Sequence, residues 1–157
     1  MAQALTANVT ITARESSTEG DRALQDKTAI NEMFTFLDAT GALGAPKVFS
    51  DNRTLHTTTE TLDLSGALES GLGTVTVFTK VRALAVRWNG AGTLAIDTTL
   101  TNGATGVFNG TVTIGQGGVF LLIDPTVAGR AVTAATVDLV KFTSTGAGDY
   151  DILVAGE

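Results

Sequence analysis

The chain has 157 residues, 43% of them hydrophobic and 17% charged, with a formal net charge of −6 and no cysteine. That is one domain of ordinary length, with enough apolar surface to hold a core without staples and too little charge for a disordered chain. The acidity argues against a phosphate backbone as partner, the missing thiols exclude a disulfide framework or thiolate metal site, and no run of about 18 apolar residues offers a membrane helix.

Thr is the commonest residue, with 18 Gly and only 2 Pro. This is the profile of short strands joined by glycine turns. Residues 1–6 lack a basic segment and an apolar run, so no secretory signal is expected. The charge is uneven: residues 1–79 carry ten acids and five bases, and residues 80–157 six acids and five bases. The second half can therefore bury more surface, in its own core or against a partner.

Residues 5–13 alternate, with Leu5, Ala7, Val9, Ile11 and Ala13 against Thr6, Asn8, Thr10 and Thr12. That predicts a strand with one wet face, and makes residues 1–14 a candidate arm exchanged with a neighbour. Residues 15–27 collect charges around Ser-Ser-Thr-Glu-Gly and read as an exposed loop. In residues 28–38 the spacing of Ile30, Met33, Phe34 and Leu37 suits a helix, while Phe34-Thr35-Phe36 suits a strand. The β-rich surroundings tilt the reading to strand. A Gly/Ala-rich connection covers 39–46, a Thr-rich strand 54–64, and a turn 65–73.

Residues 75–89 form the longest β-prone run, free of Gly and Pro, and read as the central strand. Its larger apolar residues change phase, from Val75, Val77 and Val81 to Leu84, Val86 and Trp88. Such a switch marks a bulge or a bend between sheets. Strands follow at 93–100, 106–108, 111–114, 119–124, 130–133, 137–143 and 150–155, separated by Asn-Gly and Gly-rich turns. Residues 119–123, Val-Phe-Leu-Leu-Ile, are apolar throughout, which predicts burial on both faces or a subunit contact. Many short strands at this spacing predict an all-β, antiparallel, jelly-roll-like sandwich over residues 1–157.

No set of residues calls for catalysis. His56 is the only histidine, and Glu60, four residues on, would lie about 13 Å away on the same strand face. Asp149 and Asp151 flank Tyr150 as turn carboxylates. Asp97, Asp124 and Asp138 lack a calcium-loop spacing and read as caps. Gly115-Gln116-Gly117-Gly118 opens a strand, so it is a turn rather than a phosphate cradle. Trp88 and Tyr150 could stack on a sugar, although a lone Trp at a strand end is more often core. Lys80 and Arg82 share a strand face and, with Arg87, could meet acidic neighbours or an acidic partner. No catalytic, cofactor-binding or metal-binding residues are assigned.

Six segments carry a resemblance: Asp51-Asn52-Arg53-Thr54-Leu55, Thr61-Leu62-Asp63-Leu64-Ser65-Gly66-Ala67-Leu68, Thr79-Lys80-Val81-Arg82-Ala83-Leu84, Gly117-Gly118-Val119-Phe120-Leu121-Leu122, Ala131-Val132-Thr133-Ala134 and Tyr150-Asp151-Ile152. Together they resemble small structural proteins of tailed phages and prophages, over about the last hundred residues. Arg87-Trp88 departs from that pattern, and nothing carries over to residues 1–50. The resemblance implies a virion protein assembled in the host cytoplasm, with no enzymatic activity. It would be a capsid decoration (cement) protein or a head or tail fibre subunit. Its partners would be copies of itself, as a homotrimer, and the major capsid protein, with no nucleic acid and no membrane. A tail or baseplate subunit is the neighbouring reading, and a carbohydrate-binding module built on Trp88 or Tyr150 is the reading from another class.

Overall fold

The computed structural model describes residues 5–19, 22–36, 44–56, 58–70, 73 and 75–157; within 5–36 it describes the backbone and the side chains of Thr6, Asn8 and Met33. These residues contain strands and no helix. The strands are β1 (Leu5–Glu19), β2 (Arg22–Phe36), β3 (Lys47–His56), β4 (Thr59–Asp63), β5 (Leu68–Glu69), β6 (Val75–Thr76), β7 (Lys80–Trp88), β8 (Thr93–Asp97), β9 (Thr111–Gly115), β10 (Val119–Ile123), β11 (Arg130–Ala131), β12 (Leu139–Ser144) and β13 (Ala147–Gly156).

Apart from the β1–β2 hairpin and three two-residue strands, eight strands remain, and they pair first with last. β3 joins β13, β4 joins β12, β7 joins β10, and β8 joins β9, all antiparallel. Two further pairings, β13 with β7 and β12 with β8, complete a sheet of order β10-β7-β13-β3 and a sheet of order β4-β12-β8-β9. This is one long hairpin rolled into two sheets, the jelly-roll arrangement expected from the sequence. The two sheets pack face to face over a single main core, in which Phe49, Leu84, Trp88, Ile96, Phe142 and Tyr150 are all buried.

β7 is the hub of the first sheet, bonded to β13, β10 and β11. The expected strand over 75–89 is interrupted, however. At the break the Phe78 amide donates to the Leu64 carbonyl (2.8 Å) and the Thr79 amide to the Glu157 carbonyl (2.6 Å). These bonds pull the chain off the ladder, so β6 and β7 are separate strands. The predicted phase switch is present inside β7. Ala83 pairs with Ala155 while Val81 pairs with Gly156, leaving Arg82 as an extra residue. The bulge keeps Val81 on the core side with Leu84, Val86 and Trp88.

Three other expectations change. Residues 15–27 are not a loop: β1 continues to Glu19 and β2 begins at Arg22, with only 20 and 21 outside the described residues. Backbone ladder bonds hold a strand without any apolar side chain, so a charged composition misled the loop reading. Residues 106–108 form a turn that buries Val107, not a strand. A whole strand start, 47–53, was not foreseen. The strand reading of 28–38 holds through Phe36; residues 37 and 38 lie outside the described set.

Trp88 is sealed at its end of the core by two glycines. A Cβ on Gly148 would meet the Gly90 backbone, and one on Gly90 would meet the Trp88 indole and, at 2.6 Å, the Gly148 Cα. Gly148→Ala should therefore lower stability by about 2 kcal/mol, read as a fall in the urea midpoint. Gly115→Ala, where a Cβ meets nothing within 4 Å, should stay within about 0.5 kcal/mol of the parent.

Candidate functional site

The polar side chains singled out by the sequence are held in local networks rather than gathered in a cleft. His56 ends β3 and Glu60 lies on β4, so the two belong to different sheets rather than to one strand. Glu60 instead ties the sheets together. Arg53 of β3 donates to its Oε1 through Nε (2.8 Å) and through Nη2, and the Tyr150 hydroxyl of β13 donates to its Oε2 (2.8 Å). Arg53 also reaches Asp51 (2.8 Å). Burial pushes the Glu60 carboxyl up, but the Arg53 and Tyr150 hydrogen bonds outweigh it and hold the group below the usual range. Burial, then the bond to Glu60, pushes the Tyr150 phenol well above its ordinary value.

The candidate aspartates behave as caps and pairs. Asp97 accepts from Thr99 and Thr111 and pairs with Lys141. Asp124 accepts from Thr126 and pairs with Arg130. Asp138, buried, accepts from Ser65 and the Ala135 amide. Asp149 accepts from Thr54, and Asp151 from Asn52 and Asn89. Among the described residues no three His, Asp or Glu side chains gather to hold a metal. Gly117, at φ 74°, closes the β9–β10 turn. Trp88 and Tyr150 are both fully buried, and Tyr150 stacks on Phe142 with ring centroids 4.7 Å apart. Neither ring is open to a sugar. No helix among the described residues is long and apolar enough to cross a membrane.

Lys80 and Arg82 converge on Glu157, at 3.1 and 2.6 Å. The bulge gives Arg82 its place, and its guanidinium is fully buried beneath the 124–129 loop, donating to the Val127 carbonyl at 2.9 Å. Nε and Nη1 find no protein acceptor. Glu157 is held low by Arg82 first and Lys80 second.

Part of the outer face of the sheet β10-β7-β13-β3 stands open. The registers arrange that face in three rows: Ile123, Ala83, Ala155, Val48; then Leu121, Ala85, Leu153, Ser50; then Val119, Arg87, Asp151, Asn52. The first row is covered within the chain, where Ala83 and Ala155 are buried with Ala45, and Val48, Ile123 and Leu153 pack on them; the other two rows are more open. Val119 is 60% exposed and Leu121 42% exposed. Ser50, Asn52, Ala85, Arg87, Val119 and Leu153 line a shallow depression of about 600 Å³ there. Residues 119–123 are therefore partly buried on one side, through Phe120 and Leu122, while on the other Val119 and Leu121 are exposed and Ile123 packs on the buried Ala83 and Ala155. Leu153, Ala85 and Val48 were not singled out from the sequence. The available signal was that β7, β10 and β13 are each apolar in both phases, so their shared sheet is apolar on both faces.

The chain matches no family model, no curated protein and no solved structure.

Two predictions test the networks. Because Glu60 is depressed, its contribution is complete above the ordinary carboxylate range, near 4.3, and is lost as pH falls through the lower folded value. Glu60→Gln should cost about 2 kcal/mol at pH 7 and flatten the acid limb of the stability–pH curve, the two proteins converging at low pH. Glu157→Gln leaves Arg82 buried without its carboxylate and should cost about 3 kcal/mol. Arg82→Met should cost less, since Glu157 keeps Lys80; urea unfolding of both variants gives the order.

Proposed function

We propose that the chain is a non-enzymatic structural subunit of a phage virion, a capsid decoration (cement) protein. It would form a symmetric oligomer, a trimer, and bridge neighbouring capsomers. The observation that carries this reading is the exposed apolar edge of the β10-β7-β13-β3 sheet at Val119 and Leu121, beside the depression lined by Ala85 and Leu153. Exposed apolar patches on a folded domain mark contact sites. The polar groups support the same reading, since they lock the sandwich instead of converging on a reacting atom. Jelly rolls are shared by many viral capsid domains, which is analogy at the level of fold. The resemblance of the last hundred residues to tailed-phage structural proteins points the same way. Each contact would be modest, and many copies on a shell would hold it together by multivalency.

Sedimentation equilibrium should give a trimer mass for the purified chain. Leu121→Asp should shift it to monomer, by placing a charge in the contact, while leaving the circular dichroism spectrum unchanged because Leu121 faces outward. Mass spectrometry and immunogold microscopy of virions from cells encoding the chain should find it in many copies on heads. Labelling on tails would move the subunit to the tail or baseplate, and absence from the particles would overturn the virion reading.

A further inference from the structure

The large apolar side chains exposed among the described residues include two pairs on two different surfaces. The first pair is Val119 and Leu121 of β10, one two-residue step apart, with Arg87 of β7 directly opposite Val119. The second pair is Val75 and Val77, 59% and 41% exposed and also one step apart. Thr76 and Phe78, on the other phase, are buried, so the chain shows solvent a single apolar stripe there. Glu69 of β5 stands directly opposite Val75 and is exposed as well. Each patch is thus two apolar residues with one charge across the ladder from a valine, and the two charges are of opposite sign.

Arg87 and Glu69 are both exposed, and neither makes an ion pair among the described residues. Asp151, across the ladder from Arg87, has its two oxygens taken by the Asn52 and Asn89 side-chain amides at 2.7 Å. Lys47, the cation beside Val77, donates to the Val77 carbonyl at 2.8 Å. That bond also fixes the second patch near the start of β3, the opposite edge of the sheet from β10, three strand spacings or about 14 Å across. Lys47 is level with Val81 through Gly156, whereas Val119 is level with Arg87, about 20 Å further along β7. The two patches of one chain therefore sit at opposite corners of the sheet and do not cover each other.

We propose that Val75 and Val77 of one copy pack on Val119 and Leu121 of the next, with Glu69 meeting Arg87 at the rim of the contact. The occupant is a second copy because the chain itself carries the complementary patch, apolar where the first is apolar and anionic where it is cationic. Two different patches make a head-to-tail contact rather than a two-fold one, and such contacts close into rings. Three copies form the smallest ring that a head-to-tail contact can close, since two copies related by symmetry must use the same patch twice. The inference rests on the reading of the chain as a self-assembling subunit and names the contact between its copies.

Charge reversal and mixed-chain cross-linking test it. Glu69→Arg or Arg87→Glu alone should weaken self-association roughly tenfold, and the double reversal should bring it back to within about threefold of the parent. The thermal transition of the dissociated chain should not move, since both side chains are exposed. With no native cysteine, a long-tagged chain carrying Glu69→Cys can be mixed with an untagged chain carrying Arg87→Cys. A bis-maleimide of about 10 Å reach, matched to the distance between packed sheets, should give the mixed-mass product. A product from the Arg87→Cys chain alone would mark a two-fold β10 contact and overturn the proposal. An oligomer that ignores both reversals, or that gives no mixed product, overturns this contact and leaves the subunit reading standing. A chain that is monomeric at every concentration overturns both.

Discussion

The pairing of β7 with β13 is the constraint on which the rest depends. It brings the third and the last of the eight sandwich strands side by side, and the long hairpin can roll up only around that contact. The inner side of the pair supplies Leu84, Val86, Trp88, Tyr150, Ile152 and Val154 to the core. The outer side supplies Ala83 and Ala155 to a second, smaller buried cluster with Ala45, and Ala85 and Leu153 to the partly open surface beside it. One pairing thus explains both the stability of the sandwich and the surface it leaves unsatisfied.

The bulge at Arg82 adjusts this pairing at one end, where one ionic network ties β7 to the end of β13, and a second network ties the two sheets together. Without the bulge, Val81 would face outward and the apolar phase would fail. With it, a guanidinium is carried under the 124–129 loop, where Glu157 and the Val127 carbonyl meet it. At the other network, Glu60 of one sheet takes hydrogen bonds from Arg53 and Tyr150 of the other. A charge buried this way stabilises little beyond what an apolar residue of equal volume would, but it penalises every other register. We read both networks as register pins rather than as chemistry.

Much of this was legible in the sequence, for reasons that lie in particular residues. Alternation in β1 and the phase change at Leu84 are period-2 signals, and both correspond to real features of the backbone. The apolar run from Val119 to Ile123 could not say whether its second face was buried or free, because that depends on what covers the sheet. The loop reading of 15–27 failed because charge reports solvation, not backbone geometry. The break at Phe78 was invisible, since it is made by partners 14 and 78 residues away, Leu64 and Glu157. The aromatic residues weighed as sugar platforms were core because of Gly90 and Gly148, whose missing side chains let the turn close over Trp88.

The sandwich leaves Val119 and Leu121 exposed on β10, and the subunit reading takes this strand as the one a neighbour covers. Hydrogen exchange at low and at high protein concentration tests this most directly. The account predicts that amides of β7 and β13 exchange slowly at both concentrations, while those of β10, which carries Val119 and Leu121, exchange faster when dilute than when concentrated. Amides of β10 that exchange at the same rate at every concentration would contradict it.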